Sequence, residues 1–236
     1  MSMEPRTGPD GIPEVEATFT VDELAALAEL AGAPSFPGTG EHTLDDPARR
    51  EARRALVRRG TVVGDGNGGI AIEPAQRAML GCALGANAVL SVRRDGDVSL
   101  LHVRPSLTLE QRAAGAGRQR LVAFPTPMLP RRVATITGLA GATPGVGDPI
   151  VLSSAEAARL VTGDVTPLRG ALAEEVRGTS AVHVLRRRGN RVTGGEIAWV
   201  DAGGRGLWLV TATPPALAPA PAAGSDVMAR LRALLG

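Results

Sequence analysis

The sequence predicts an α+β fold made of two similar halves. A helical block leads into an antiparallel strand ladder at residues 21–104, and the same layout returns at 153–210. The strand segment AVLSVRR at 88–94 is echoed by AVHVLRR at 181–187, and each is followed by a turn and a further strand. We interpret this repetition as a duplicated scaffold of the binding type rather than as an active site.

The composition indicates a globular chain with a sizeable core. With 236 residues, 44% of them hydrophobic, the chain is long enough for one large domain or for two fused halves. No apolar run approaches the roughly 18 residues of a membrane span. Since no charged and then apolar leader begins the chain either, we expect a cytoplasmic protein without a membrane span. The single cysteine, Cys82, lies in the apolar stretch AMLGCALG, which favours a buried, inert thiol and excludes a disulfide within the chain.

The charge balance gives no electrostatic case for a nucleic-acid partner. All 26 basic residues are arginine, and alanine, glycine and proline are abundant, which indicates the codon bias of a GC-rich genome. The pI of about 9.8 partly reflects this bias. Because the 24 acidic residues leave a net charge of only +2, we do not expect the chain to bind nucleic acid.

The first helix has a distinct start signal. Residues 1–17 are rich in proline, glycine and glutamate without periodicity, so we predict a flexible leader there. Thr20, with Glu23 three residues later, forms a capping-box pattern. Leucines at helical spacing then continue up to Gly32, and a loop containing proline and glycine follows at 33–40.

The next elements follow the order of a winged-helix module. Asp45 or Asp46 caps a predicted helix at 47–59, which Gly60 ends. The elements predicted after it are a hairpin of strands at 61–63 and 70–72 around the glycine-rich turn 64–69, and a helix at 73–84.

Proline and glycine divide the middle of the chain. After the strand at 98–103, residues 105–120 are richer in Gln, Arg and Gly than in apolar residues, and we predict a loop or short helix there. Short apolar runs at 120–124 and 132–137 are separated by prolines, which predicts edge strands. The segment 138–148 is the best internal boundary.

The second half repeats the order of helices followed by strands. The predicted helices lie at 153–161 and 167–176, and the predicted strands at 179–187, 191–200 and 205–211. A proline-alanine linker is predicted at 214–221, followed by a closing helix at 227–235 that Ser225 and Asp226 cap. We therefore predict one α+β domain at 18–236, made of pseudo-repeats at 18–137 and 149–236.

Two features of the first half have functional alternatives. The turn 64–69, GDGNGG, has glycines that suit a phosphate-binding loop, but it joins two strand-like pieces instead of opening a helix, which favours a hairpin turn. A cluster of arginines on the helix 47–59 suits either a nucleic-acid backbone or a solvated helix face, and we favour the second. The cluster consists of Arg49, Arg50, Arg53, Arg54, Arg58 and Arg59.

No catalytic pair, metal site or cofactor site is visible in the sequence. The histidines are His42, His102 and His183. They are far apart, and none has a metal-ligating neighbour at short spacing. The paired acids at 45–46 and at 174–175 are adjacent, so their side chains point apart on a helix and suit capping and solvation better than acid–base work. We therefore predict that the protein is not an enzyme and has no catalytic residue, cofactor or metal.

The tryptophans lie on the last two predicted strands. Trp199 and Trp208 bracket the turn at 201–205. Tryptophan is enriched in binding hot spots, but in a chain with so few aromatic residues we favour packing of the sheet against helices.

Several segments, taken in order, resemble the EspG family. They are FTVDELAALAELAG at 19–32, ALVRRGTV at 55–62, GRGLWLV at 204–210, the proline-rich spacer after it, and LRALL at 231–235. That family comprises cytosolic chaperones of type VII (ESX) secretion in actinobacteria. The resemblance covers most of the chain in order and spacing.

The resemblance implies a quasi-two-fold α+β fold with a central antiparallel sheet flanked by helical bundles. It also implies a function, which is to hold an aggregation-prone helical substrate, typically the exposed end of a PPE-type protein paired with its PE partner, until secretion. The chain departs from the family pattern in its short loop at 94–97. The partner is therefore expected to be PE/PPE-like or a different, WXG-like helical hairpin. The candidate residues for its apolar contacts are Leu100, Leu185, Trp199 and Trp208.

Two other classes of function stay open at this stage. A DNA-binding regulator would use the winged-helix order and the arginine helix, and its binding would weaken steeply as salt rises. An enzyme with an unrecognised site, or an unclassified interaction domain, is the remaining alternative.

Overall fold

The computed structural model divides into two compact units. The first unit is Met1–Val89 with Ser99–Leu129, and the second is Leu90–Val98 with Pro130–Gly236. The described residues are 6–8, 11–40, 42–64, 70–153, 155–156, 159, 164, 166–172, 176–213 and 216–235. The division differs from the predicted halves, because the second unit takes in the hairpin residues Leu90–Val98 and begins its main segment before the predicted boundary at 138–148.

Helices and antiparallel strands make up both units. The helices of the first unit are α1 (Val21–Leu30), α2 (Asp46–Arg58) and α3 (Pro74–Leu84). The strands up to the end of this unit are β1 (Arg6–Thr7), β2 (Pro13–Thr20), β3 (Val62–Gly64), β4 (Ile70–Ile72), β5 (Ala88–Arg94), β6 (Asp97–Val103), β7 (Leu107–Ala113) and β8 (Arg118–Pro125). The later elements are α4 (Leu129–Ile136), α5 (Thr166–Ala171), β9 (Gly178–Arg188), β10 (Arg191–Asp201), β11 (Leu207–Thr213), β12 (Ala216–Pro221) and α6 (Gly224–Leu235).

The predicted α+β class and its antiparallel sheet are confirmed. Ten strands are hydrogen-bonded in the order β1-β2-β8-β7-β6-β5-β9-β10-β11-β12, and β3 pairs separately with β4. The duplication of the halves stays a prediction. No helix in the described part of the chain is long and apolar enough to cross a membrane.

The predicted helix starts of the first unit are confirmed. The Thr20 hydroxyl accepts a hydrogen bond from the Glu23 amide at 3.1 Å, and the Glu23 carboxylate accepts one from the Thr20 amide at 2.8 Å, so the capping box is complete. Asp45 caps α2 by accepting from the Ala48 amide at 2.8 Å. The helices pack on one face of the strands, and the buried side chains at their centre include Phe19, Leu24, Leu27, Leu56, Met79, Leu80, Leu109 and Leu121.

The prediction of a flexible leader at 1–17 is wrong for its second part, because Pro13–Thr20 forms β2. This strand pairs with β8 in the register Val15↔Ala123 and Ala17↔Leu121. Val15, Ala17 and Phe19 alternate toward the core of the first unit. The many proline and glutamate residues conceal this period of two in the sequence.

The predicted loop at 105–120 is also wrong, because β7 occupies most of it and β8 begins at Arg118. Thr108, Glu110 and Gln111 are 0–2% exposed although they are polar. Sequence reasoning assigned such residues to a solvated loop. In the structure β7 lies between β6 and β8, and β8 lies between β7 and β2, so the predicted strand at 120–124 is an interior strand rather than an edge strand.

The strand predicted at 132–137 is instead the helix α4. Pro130 lies in the first turn, where its missing N–H leaves no helical hydrogen bond unmade. Leu129 and Val133, four residues apart, are 3% and 0% exposed, so the apolar spacing is that of a helix.

The predicted boundary at 138–148 and the predicted linker at 214–221 are both held by backbone hydrogen bonds in the second unit. The Leu207 amide donates to the Thr143 oxygen at 2.9 Å, and the Gly145 amide donates to the Ala222 oxygen at 2.8 Å. A side chain at Gly145 would collide with the Leu207 carbonyl oxygen. Residues 216–221 form the edge strand β12 on β11, a position where proline is tolerated.

The helices of the second unit differ from prediction at their ends. The closing helix α6 begins at Gly224 rather than at residue 227, and Asp226 accepts a hydrogen bond from the Ala223 amide at 2.7 Å. The helix predicted at 167–176 is α5, which ends at Ala171. The helix predicted at 153–161 lies largely outside the described residues.

Candidate functional site

The tryptophans predicted as partner contacts are buried in the second unit. Trp199 is 3% exposed and Trp208 is 1% exposed. Trp208 packs with Leu152, Leu168 and Val200, and its indole N–H donates to the Arg205 carbonyl oxygen at 3.2 Å. This placement agrees with the packing interpretation of both residues and leaves neither surface open to a partner.

Leu100 is half-buried in the first unit. A Cβ added to Gly38 would lie 2.6 Å from the Leu100 side chain and 3.0 Å from the Gln111 amide, so the loop carrying Gly38 lies against this part of β6 and β7. Gly38 has a φ of +79°, a backbone conformation that favours glycine. Leu100 therefore offers a partner little free surface.

Leu185 is the predicted contact that the structure leaves open, on an exposed end of the β9–β10 hairpin. We call residues 185–196 the hairpin tip. Cross-strand partners in the register are Leu185↔Gly194 and Arg187↔Val192, so Leu185, Arg187 and Val192 lie on one face. Leu185 is 56% exposed and Val192 is 66% exposed. Two aliphatic side chains thus meet solvent beside an arginine.

Glycines allow the hairpin tip to form this face. A Cβ on Gly194 would lie 3.1 Å from the Leu185 side chain, so Leu185 leans across the strand over the glycine. On the opposite face, a Cβ on Gly195 would lie 2.5 Å from the Leu234 side chain of α6. The Arg186 guanidinium donates to the Leu235 carbonyl oxygen at the C-terminal end of the same helix. The helix therefore supports one face of the tip.

The charged groups of the hairpin tip are mainly arginines. Arg188 and Arg191 are cross-strand partners beside the turn, and Arg187 donates to the Gly189 carbonyl oxygen at 3.3 Å. Among the described residues, no carboxylate lies within 4.0 Å of Arg187 or Arg191. The acid of the tip, Glu196, lies 2.8 Å from the exposed His183 imidazole.

The arginine cluster of α2, which includes Arg59 directly after the helix, differs from the arginines of the hairpin tip because most of its members lie beside carboxylates. Arg49 lies 3.1 Å from Glu29 and 2.6 Å from Asp46, and Arg59 lies 2.9 Å from Glu23. Arg53, Arg54 and Arg58 also lie within 4.0 Å of Glu29 or Glu51. Five of the six arginines in this cluster are therefore paired within the first unit, which supports the solvated, ion-paired helix face and not a surface for a nucleic-acid backbone.

The histidines have separate environments. His102 is 1% exposed, and its Nε2 lies 3.0 Å from the Gln111 amide oxygen. Burial lowers the pKa of His102, and the hydrogen bond to Gln111 opposes this shift. His42 lies 2.6 Å from Asp22. Within the described ranges, no group of three metal-ligating side chains is assembled.

The remaining predicted features are structural. Cys82 donates to the carbonyl oxygens of His102 and Leu107 at 3.2 and 3.3 Å. Burial raises the pKa of its thiol to about 11, which agrees with an inert cysteine. Strands β3 and β4 pair antiparallel, as expected for a hairpin, while residues 65–69 and the acids at 174–175 lie outside the described residues.

Sequence reasoning missed the residues around Leu185 on the hairpin tip. Val192, Arg187 and Arg191 were assigned only to strands. A usable signal is present in the run LRRRGNRV at 185–192, where aliphatic side chains flank four arginines without an acid. The alternation of β-strands places Leu185 and Arg187 on one face.

Comparison with known proteins gives a structural match and no sequence match. No family model matches the chain, and no curated protein matches it. A solved structure of the Mycobacterium tuberculosis type VII secretion system chaperone EspG5, in complex with the PE25-PPE41 dimer, is similar with a TM-score of 0.64. The match covers 94% of this chain and 96% of that chain at 14% sequence identity. The chain therefore has the fold of the type VII secretion chaperone EspG5, and the resemblance to the EspG family is confirmed at the level of the fold.

Proposed function

We propose that this protein is a chaperone or adaptor that binds a helical type VII secretion substrate of the PE/PPE kind, or a related helical hairpin, in the cytoplasm and keeps it soluble before export. The observation that carries the proposal is the fold shared with EspG5 over 94% of the chain, because that chaperone was solved with the PE25-PPE41 dimer bound. The proposal assigns no reaction to the chain.

The surface chemistry of the chain supports a protein partner. Leu185 and Val192 expose aliphatic surface on the hairpin tip. Apolar contacts surrounded by polar groups are typical of a protein interface. The arginines of α2, which the alternative of a DNA-binding regulator requires, are mostly bound to carboxylates of the same unit. The regulator is therefore not favoured.

The test is affinity capture of the tagged protein from an extract of its native host at moderately high salt, with mass spectrometry of the proteins recovered. We expect a small helical secretion substrate, such as a PE/PPE-type pair, in an amount near that of the bait. Apolar contacts persist at this salt concentration, whereas nucleic-acid binding through phosphates declines steeply. Recovery of no helical secretion substrate, with nucleic acid retained at low salt, would contradict the proposal.

A further inference from the structure

The hairpin tip lies beyond the segment of β10 that is paired on both sides. Among the described residues, the pairing of β10 with β11 covers Ala198–Asp201, whereas its pairing with β9 continues to Arg191. The tip is therefore a two-stranded ribbon that extends past β11. Such a ribbon has little stability of its own in water, so the position of the tip depends on what packs against it.

Two adjacent glycines weaken the ribbon near its centre. Gly194 and Gly195 follow each other in β10, and Gly194 is the cross-strand partner of Leu185. Glycine weakens a strand because it loses more conformational freedom on folding than other residues and has no side chain to pack. The ribbon is therefore intrinsically weakest at the level of Leu185, the exposed leucine that we assign to partner contact.

Helix α6 supports the ribbon on the face away from Leu185. A Cβ on Gly195 would lie 2.5 Å from the Leu234 side chain, so Leu234 occupies the space that a larger residue at 195 would fill. Val227 and Leu231, each 1% exposed, share a face of the helix with Leu234. The helix packs on β10. The glycine that weakens the strand thus also makes room for the helix.

Arg186 joins the same helix to the other strand of the ribbon. Its guanidinium donates to the Leu235 carbonyl oxygen. The last carbonyl groups of a helix have no partner within the helix, and the helix dipole favours a cation beside them. Because neighbouring strand residues point to opposite faces, this bond fixes the backbone from which Leu185 projects toward solvent. We call the Leu234 packing and the Arg186 bond together the α6 contact.

We propose that the α6 contact holds Leu185 in the position in which it binds the helical partner, and that Arg186 and Leu234 are its positioning residues. This inference rests on the proposed function and deepens it by naming the residues that hold the binding face. A surface that is ordered in advance loses less conformational entropy on binding than a free ribbon does. Without the α6 contact, only a fraction of the molecules keeps the binding position, and the observed Kd rises in inverse proportion to that fraction.

The experiment measures the Kd of the full chain for the helical pair recovered from the host extract, purified as a recombinant dimer. Arg186→Ala removes the bond to α6. The matched control Arg191→Ala removes the same charge from the same face of the ribbon, where no bond to α6 is described. We expect the Kd of Arg186→Ala to rise about fivefold, which corresponds to about a fifth of the molecules in the binding position, and the Kd of the control to stay within about twofold.

A double-mutant cycle tests whether Arg186 acts through Leu185. In a Leu185→Ala background, Arg186→Ala should weaken binding far less than it does in the wild type, because the residue that it positions is already gone. Arg186→Lys keeps a donor for the Leu235 carbonyl oxygen and should retain most of the affinity. Leu234→Ala, which removes the other half of the α6 contact, should raise the Kd as Arg186→Ala does.

Hydrogen exchange measured by mass spectrometry distinguishes a loosened tip from general unfolding. We expect Arg186→Ala to speed the exchange of amides at 185–196 and to leave the amides at 197–201 unchanged. A Kd of Arg186→Ala equal to that of the wild type or of Arg191→Ala would overturn the inference and leave the proposed function standing. A raised Kd without faster exchange at the tip would do the same. Failure of the wild-type chain to recover any helical pair would overturn both.

Discussion

Most arginines of α2 lie beside carboxylates, whereas Arg187 and Arg191 of the hairpin tip lie beside none of the described ones, although both segments are rich in arginine. At α2 the chain provides Glu23, Glu29, Asp46 and Glu51 as partners. At the tip, Arg187 and Arg191 have no described carboxylate within 4.0 Å. An arginine count therefore says little about function. The positions of the acids decide which arginines form ion pairs within the fold.

The largest expected difference in the free energy of unfolding is between a substitution in the core of the second unit and one on the hairpin tip. We expect Trp208→Ala to lower the free energy of unfolding by about 3–5 kcal/mol, because it leaves a large cavity among buried side chains. Leu185→Ala should change it by less than about 0.5 kcal/mol, since Leu185 is exposed. Urea denaturation measures both values. Equal losses in the two variants would show that the tip is part of the core.

A smaller loss of stability is expected from a substitution at Glu23, where α2 meets α1. The Glu23 carboxylate bonds to the Thr20 amide and lies 2.9 Å from Arg59, while its side chain is 8% exposed. Glu23→Ala should lower the free energy of unfolding by about 2 kcal/mol, through loss of the capping box and the ion pair. Glu23→Gln keeps an acceptor for the Thr20 amide and should lose less. A Glu23→Ala variant as stable as the wild type would contradict the internal role of this cluster.

A pH effect on stability is expected from His102 in the first unit. Burial lowers the pKa of His102 in the folded protein, so the unfolded chain binds the proton more readily. The stability contribution is complete above the unfolded pKa of about 6.5 and is lost as the pH falls from there toward the lowered pKa of the folded protein. His102→Gln should flatten the acid side of the stability curve, measured by thermal unfolding. An acid slope that is the same in His102→Gln as in the wild type would contradict this expectation.

The smallest expected difference in stability is between single arginine substitutions in the two clusters. Arg49 is hydrogen-bonded to Glu29, Asp46 and the Leu44 carbonyl oxygen, so Arg49→Ala should cost about 1 kcal/mol of stability. Arg187→Ala should cost less than about 0.5 kcal/mol, because its described hydrogen bond is a local one to Gly189. The midpoints of urea unfolding distinguish the two. A larger loss for Arg187→Ala would reverse the comparison.

The sequence was informative where local rules decide the structure. Thr20 and Glu23 identify the start of α1, and the β9–β10 hairpin follows from alternating residues around Gly189. Glu110 and Gln111 misled the prediction at β7, because their burial depends on neighbouring strands distant in sequence. The hairpin tip was only partly predictable for the same reason. Leu185 was identified from its strand, but whether it is exposed, and which arginines have carboxylates nearby, depends on tertiary contacts.

The most direct measurement places a photo-cross-linking amino acid, benzoyl-phenylalanine, at Leu185 in one protein and at Val57 of α2 in another. The two positions are equally open, with 56% and 55% of each side chain exposed. Both proteins are irradiated with the helical pair recovered from the host. The account predicts a cross-link from position 185 to the helical pair and none from position 57. A cross-link from position 57 alone, or none from either position while the pair stays bound, would contradict it.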